Sequence, residues 1–200
     1  MESTVNTNFF SSFLTSALMI TASEIGDKTF FITAIMAVKN SRLTVFLGSM
    51  AGLTLNNVIS IFLGVLTAKL NATLMHHISV ALFLIFGVKM VYEGFKMADG
   101  GGLEEYNEAE KTVNENEDVG EAKPTLLTSL FGKQALVFVQ VFSLIFFAEW
   151  GDKSQLSTIL LAAREGVWAV GLGAFVGYFI CNAVAVIGSR AIVQIISVKK

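Results

Sequence analysis

The chain has 200 residues, 54 % of them apolar and only 15 % charged, with one proline, one cysteine and a formal net charge of −2. A soluble domain carries nearer a quarter charged residues, so the composition excludes an ordinary water-soluble globule and expects lipid, not nucleic acid, as the surrounding partner. The lone Cys181 excludes an internal disulfide framework, and its neighbours Phe179 and Ile180 make it a packed, inert thiol.

Residues 1–8 are polar and carry no basic stretch, and the apolar run behind them is too long for a signal peptide, so the first membrane helix is expected to serve as an uncleaved insertion signal. Five apolar segments follow, at about 9–38, 43–67, 78–97, 131–163 and 166–190. Each exceeds the roughly 18 residues needed to cross a bilayer. The first is too long for one upright span of about 20 residues, which predicts a tilted or broken helix. The joints at 39–42 and 164–165 are short, so the helices they connect are antiparallel neighbours. Residues 98–130 begin glycine-rich and then acidic, and by composition they read as a disordered linker.

The linker separates two copies of one unit. At an offset of 125 residues Glu24 falls on Glu149, Gly26 on Gly151, Asp27 on Asp152 and Lys28 on Lys153. The match runs without a gap through Thr33/Thr158, Val45/Val170, Gly48/Gly173, Gly52/Gly177 and Asn57/Asn182. Three helices per copy force the second copy to enter from the opposite side, which makes an inverted repeat. The expected fold is therefore an all-α integral membrane protein: a first repeat at 1–97, the linker, and a second repeat at 131–200. It holds five full helices, and the counterpart of 78–97 would fall beyond Lys200, as in a truncated sixth helix. Lys39, Arg42, Lys96, Lys111, Lys123, Lys133, Arg190, Lys199 and Lys200 gather on one side against Lys69 and Arg164 on the other, which places the linker in the cytosol and the N-terminus across the membrane.

The informative charges lie inside the apolar segments. Glu24, Asp27, Lys28, Glu149, Asp152 and Lys153 would together cost roughly 15–20 kcal/mol if each faced lipid alone. They must instead face one another, water or an ion. Glu and Asp three residues apart share a helix face. Gly26 and Gly151 permit a local helix break of the kind that turns backbone carbonyls toward a ligand. Four carboxylates form a hard-oxygen site suited to calcium, magnesium or manganese. With two lysines they sum to −2, which one divalent cation neutralises, and two protons can take its place on the crowded acids when it leaves. Glu24, Asp27, Glu149 and Asp152 are thus the candidate metal and proton ligands. Lys28 and Lys153 are the expected ion-pair partners that steady the empty site. Thr29, Ser154 and Gln155 are candidate neutral ligands. Asn57 and Asn182 either bond between helices or support the site. The pairs Gly48/Gly52 and Gly173/Gly177 permit close helix packing.

The doubled motif, Glu24-Ile25-Gly26-Asp27-Lys28-Thr29 and Glu149-Trp150-Gly151-Asp152-Lys153-Ser154, resembles the signature of the transmembrane protein 165 family, the Golgi-type calcium/manganese–proton exchangers. The resemblance covers nearly the whole chain. It implies six transmembrane helices, exchange of Mn2+ or Ca2+ for protons at the motif acids, no permanently bound cofactor, and a place in the Golgi membrane. The long acidic linker is more like eukaryotic Golgi members than compact bacterial ones. Transport of another ion or small solute, or a non-transport role in membrane assembly, are the rival expectations. An enzyme is not expected: intramembrane proteases need two facing aspartates, not a duplicated Glu, Gly and Lys.

Overall fold

The computed structural model describes residues 3–68, 77, 80, 81, 84, 85, 87–89, 91, 92, 95, 102–120 and 126–199. Every regular element among them is an α-helix: α1 (Ser3–Glu24), α2 (Lys28–Lys39), α3 (Arg42–Thr67), α4 (Gly102–Gly120), α5 (Leu126–Ala148), α6 (Lys153–Arg164) and α7 (Val167–Lys199). Of the segment expected at 78–97, the described residues are helical and the others lie outside the described set. Among the described residues α3 and α7 are long and apolar enough to cross a membrane. Two bent pairs, Phe9–Glu24 with Lys28–Lys39 and Gly132–Ala148 with Lys153–Arg164, meet the same test jointly. The chain is an all-α membrane protein.

The two longest apolar segments are therefore not single helices but pairs, bent by 68° and 70°. The cause lies in the motif. Gly26 and Gly151 take φ of 81° and 82°, the left-handed region that a residue with a Cβ enters only under strain. Asp27 (φ −76°, ψ 167°) and Asp152 (φ −70°, ψ 166°) then turn extended and start the next helix as N-caps. Each turn is closed by the same bond: Asp27 N donates to Glu24 O and Asp152 N to Glu149 O, both at 3.2 Å.

Packing follows a two-fold exchange between the copies. α1 lies on α7 and α3 on α5, while α2 meets α7 and α3 meets α6. The hydrogen bonds obey the same rule. Asn57 Nδ2 donates to Gly171 O at 3.0 Å, and its repeat mate Asn182 Nδ2 donates to Phe46 O at 3.2 Å. Both asparagines thus bond between helices, and Asn182 also accepts from Ser49 Oγ at 2.8 Å. The glycines make the exchange possible. A Cβ on Gly48 would lie 2.9 Å from Phe138 O, and one on Gly177 2.9 Å from Ala17 O. In lipid, where no hydrophobic drive joins helices, such backbone approach carries the association.

The acidic linker departs from expectation. Residues 102–120 form α4, packed on α2. Tyr106, Ala109 and Val113, spaced to share one helix face, are buried in the common core with Phe31, Ile35 and Val141. The Tyr106 ring meets Phe31 edge-on at 5.9 Å. Few apolar residues suffice because α2 offers them a ready surface.

Candidate functional site

Both motif turns deliver their glutamates to the interior where the copies meet. Glu24 is 3 % exposed and Glu149 fully buried. Thr29 Oγ1 donates to Glu24 Oε2 at 3.3 Å, and its mate Ser154 Oγ donates to Glu149 Oε2 at 3.0 Å. The other oxygen of each carboxylate, Glu24 Oε1 and Glu149 Oε1, is buried and accepts no hydrogen bond. Buried acceptors without donors are costly, so these two atoms call for a cation or a proton.

Glu24, Glu149 and Asp152 each bring one carboxylate oxygen within 4.8 Å of the other two. Hard divalent cations bind oxygen at about 2.0–2.6 Å, so ligand atoms on opposite sides of one ion stand up to about 5 Å apart. The three acids fit one such ion. Asp27 is not one of them: it faces Lys153, with Oδ1 3.2 Å from Nζ, both side chains mostly buried. That pair crosses from one copy to the other. Its two-fold mate would join Lys28 to Asp152, but Lys28 Nζ instead stands 4.0 Å from Glu108 Oε2 on α4. The expected symmetry of two lysines at the site is thus corrected to one. Lys28 is paired with an acid of α4 instead.

Gln155 is held by the scaffold. Its Oε1 accepts from Gly151 N at 2.7 Å and its Nε2 donates to Asn56 Oδ1 at 2.6 Å. Asn56 Nδ2 in turn donates to Glu149 O at 3.1 Å. Asn56 and Tyr178, whose hydroxyl donates to Ser154 Oγ at 3.4 Å, are site residues that the repeat did not reveal. Their counterparts at the 125-residue offset are Cys181 and Leu53, so duplication gave no signal for them. A small cavity beside Glu24 is lined by Thr29, Thr33, Tyr178, Cys181 and Asn182. Cys181 is buried there, with Sγ donating to Thr21 O at 3.6 Å.

The family of divalent cation/proton antiporters described as GDT1 matches residues 12–98 and 137–200, so both motif copies lie inside the matched segments. The chain belongs to the GDT1 family. A GDT1-like protein of Synechocystis is 37 % identical over 188 residues, covering 94 % of this chain and 87 % of the relative. GDT1-like protein 5 of Arabidopsis thaliana is 37 % identical over 201 residues, with 92 % and 86 % covered. A GDT1-like protein of Schizosaccharomyces pombe is 34 % identical over 223 residues, with 98 % and 78 % covered. No solved structure matches the chain. The family supplies the coarse activity, divalent cation/proton antiport, and the doubled Glu-x-Gly-Asp-Lys turn is where this GDT1 chain gathers its buried acids.

Replacing Asn56 by Leu leaves Gln155 Nε2 without its partner and Glu149 O with the Asp152 N bond alone. Loss of such supporting bonds typically costs about 10–100-fold in metal affinity. The expected result is a rise of about ten-fold in the cation concentration for half-maximal uptake. Because both act on one turn, adding Gln155→Leu brings little more.

Proposed function

We propose that this GDT1 chain exchanges Mn2+ or Ca2+ for protons at a site formed by Glu24, Glu149 and Asp152, with Asp27 and Lys153 as a neighbouring ion pair. One observation carries the proposal: three carboxylates converge within one ion's reach while two of their buried oxygens have no other partner. The donor set is oxygen only, and Cys181 is turned to a backbone carbonyl, which favours a hard cation over zinc or copper. Thr29 and Ser154, each already on a motif glutamate, are placed to steady those carboxylates and to share the ion.

Charge supports exchange over simple conduction. With Asp27 neutralised by Lys153, the three acids sum to −3 when ionised. A divalent cation and one proton neutralise them, and so do three protons, so swapping one cation for two protons leaves the buried charge unchanged. The two-fold exchange of helix contacts and the matching bends at the two motif turns support an inverted repeat that presents this site alternately to the two sides. The setting proposed is the Golgi membrane, with the N-terminus in the lumen. There protons leaving the acidic lumen would load it with cation, and no cofactor is required.

The test is uptake of Mn2+ and Ca2+ by proteoliposomes under an imposed proton gradient. The expected result is uptake that follows the gradient, releases protons in the opposite direction, and falls sharply in Asp152→Asn. Uptake indifferent to the gradient would remove the exchange mechanism, and uptake indifferent to Asp152→Asn would remove the site.

A further inference from the structure

The lysine asymmetry of the site has its origin outside the repeat. Lys153 and Lys28 occupy the same place in the two motif copies, yet one pairs with Asp27 and the other with Glu108. Glu108 lies on α4, between the two segments that match the family, so it is no part of the shared motif. α4 is seated on α2, the helix that Lys28 begins. Tyr106 packs edge-on against Phe31, Ala109 and Val113 are buried, and Lys39 Nζ at the far end of α2 donates to Asn114 Oδ1 at 3.3 Å. Helix α4 is thereby fixed at both ends of α2, with an acid opposite the motif lysine.

We propose that Glu108 is a positioning residue of the transport site: it holds Lys28 toward α4 and so leaves Asp152 without a lysine partner and available to the cation. This rests on the function proposed above. The two-fold mate of the Lys153–Asp27 pair is a Lys28–Asp152 pair, so the alternative seat for Lys28 is a geometry that the fold already builds once. In that seat the ammonium neutralises a ligand of the ion and competes with it. Docking of α4 therefore sets cation affinity, and a covalent or binding event that lifted α4 would weaken it.

The pair is partly exposed, at 33 % for the Lys28 side chain and 68 % for Glu108, so its influence is bounded. An exposed ion pair supplies about a two- to five-fold change in an equilibrium constant. In proteoliposomes of the full chain with Mn2+ as probe, Glu108→Gln raises the half-saturating concentration by about that factor and leaves the maximal rate close to that of the unsubstituted chain. Glu108→Asp, which keeps the charge, restores the original value. In a Lys28→Gln background Glu108→Gln has no further effect, because no ammonium remains to move. A merely structural role for Glu108 would instead lower the maximal rate or the melting temperature in both backgrounds alike. That outcome, or a Glu108→Gln protein with unchanged half-saturation, overturns the inference alone. No uptake by the unsubstituted chain overturns the transport function and this inference with it.

Discussion

Glu149→Gln removes cation exchange from proteoliposomes and leaves the folded protein at least as stable. The carboxamide keeps the shape and the acceptor that Ser154 Oγ uses at 3.0 Å, so packing is undisturbed. What disappears is a charge held in a fully buried position beside Glu24 and Asp152. At an effective dielectric of about 20, a unit charge about 4 Å from another contributes about 4 kcal/mol, and a divalent ion doubles the product of charges. Even half of that sum is on the order of a thousand-fold in affinity. In the ion-free protein, where protons neutralise the acids, the same change exchanges one neutral group for another, so melting in detergent should not fall. Glu24→Gln is expected to behave alike, since Thr29 offers it the same support. A Glu149→Gln protein that melts normally and still exchanges cation would show that the buried acids serve structure alone.

The largest effect on stability is expected at Gly173. A Cβ there would overlap Phe13 O and come within 2.9 Å of Ser16 Cβ, so it pushes on the backbone of α1 and not on a flexible side chain. The added carbon has no room unless α1 and α7 part, and that interface is among the most extensive in the protein. Overpacking a core usually costs about 1–3 kcal/mol, and a contact with backbone lies at or above the top of that range. Gly173→Leu should therefore fail to accumulate as folded protein or melt many degrees lower. Gly166→Ala, whose methyl group would meet only Ala169 Cβ at 4.0 Å, should melt as the unsubstituted chain does. Equal melting temperatures for the two variants would contradict the close α1–α7 packing.

Duplication decided how much of this was legible in the sequence. Glu24, Glu149, Asp27 and Asp152 stood out because each has a charged mate at a fixed offset within an apolar segment. The helix breaks were legible from a segment too long for one span with a glycine at its motif, and both occur at Gly26 and Gly151. Helix packing through Gly48/Gly52 and Gly173/Gly177 was legible too, because small residues four apart leave a groove that another backbone can enter.

Features that break the symmetry were not legible. Asn56 and Tyr178 have apolar or thiol counterparts, and only the fold brings them to Ser154 and Gln155. The repeat treated Lys28 and Lys153 alike, whereas a third element outside the repeat separates them. α4 itself was hidden by its composition. Its acids outnumber its apolar residues, and the signal was the spacing of Tyr106, Ala109 and Val113 on one face, which means little until α2 is there to cover it.

The central claim is that three acids from two repeats hold one cation. Equilibrium binding of Mn2+ to the purified chain, followed by the loss of the free-ion electron paramagnetic resonance signal, tests it most directly. The account predicts one saturable ion per chain, displaced as pH falls and abolished in both Glu24→Gln and Glu149→Gln. Saturable binding that survives either substitution would contradict it.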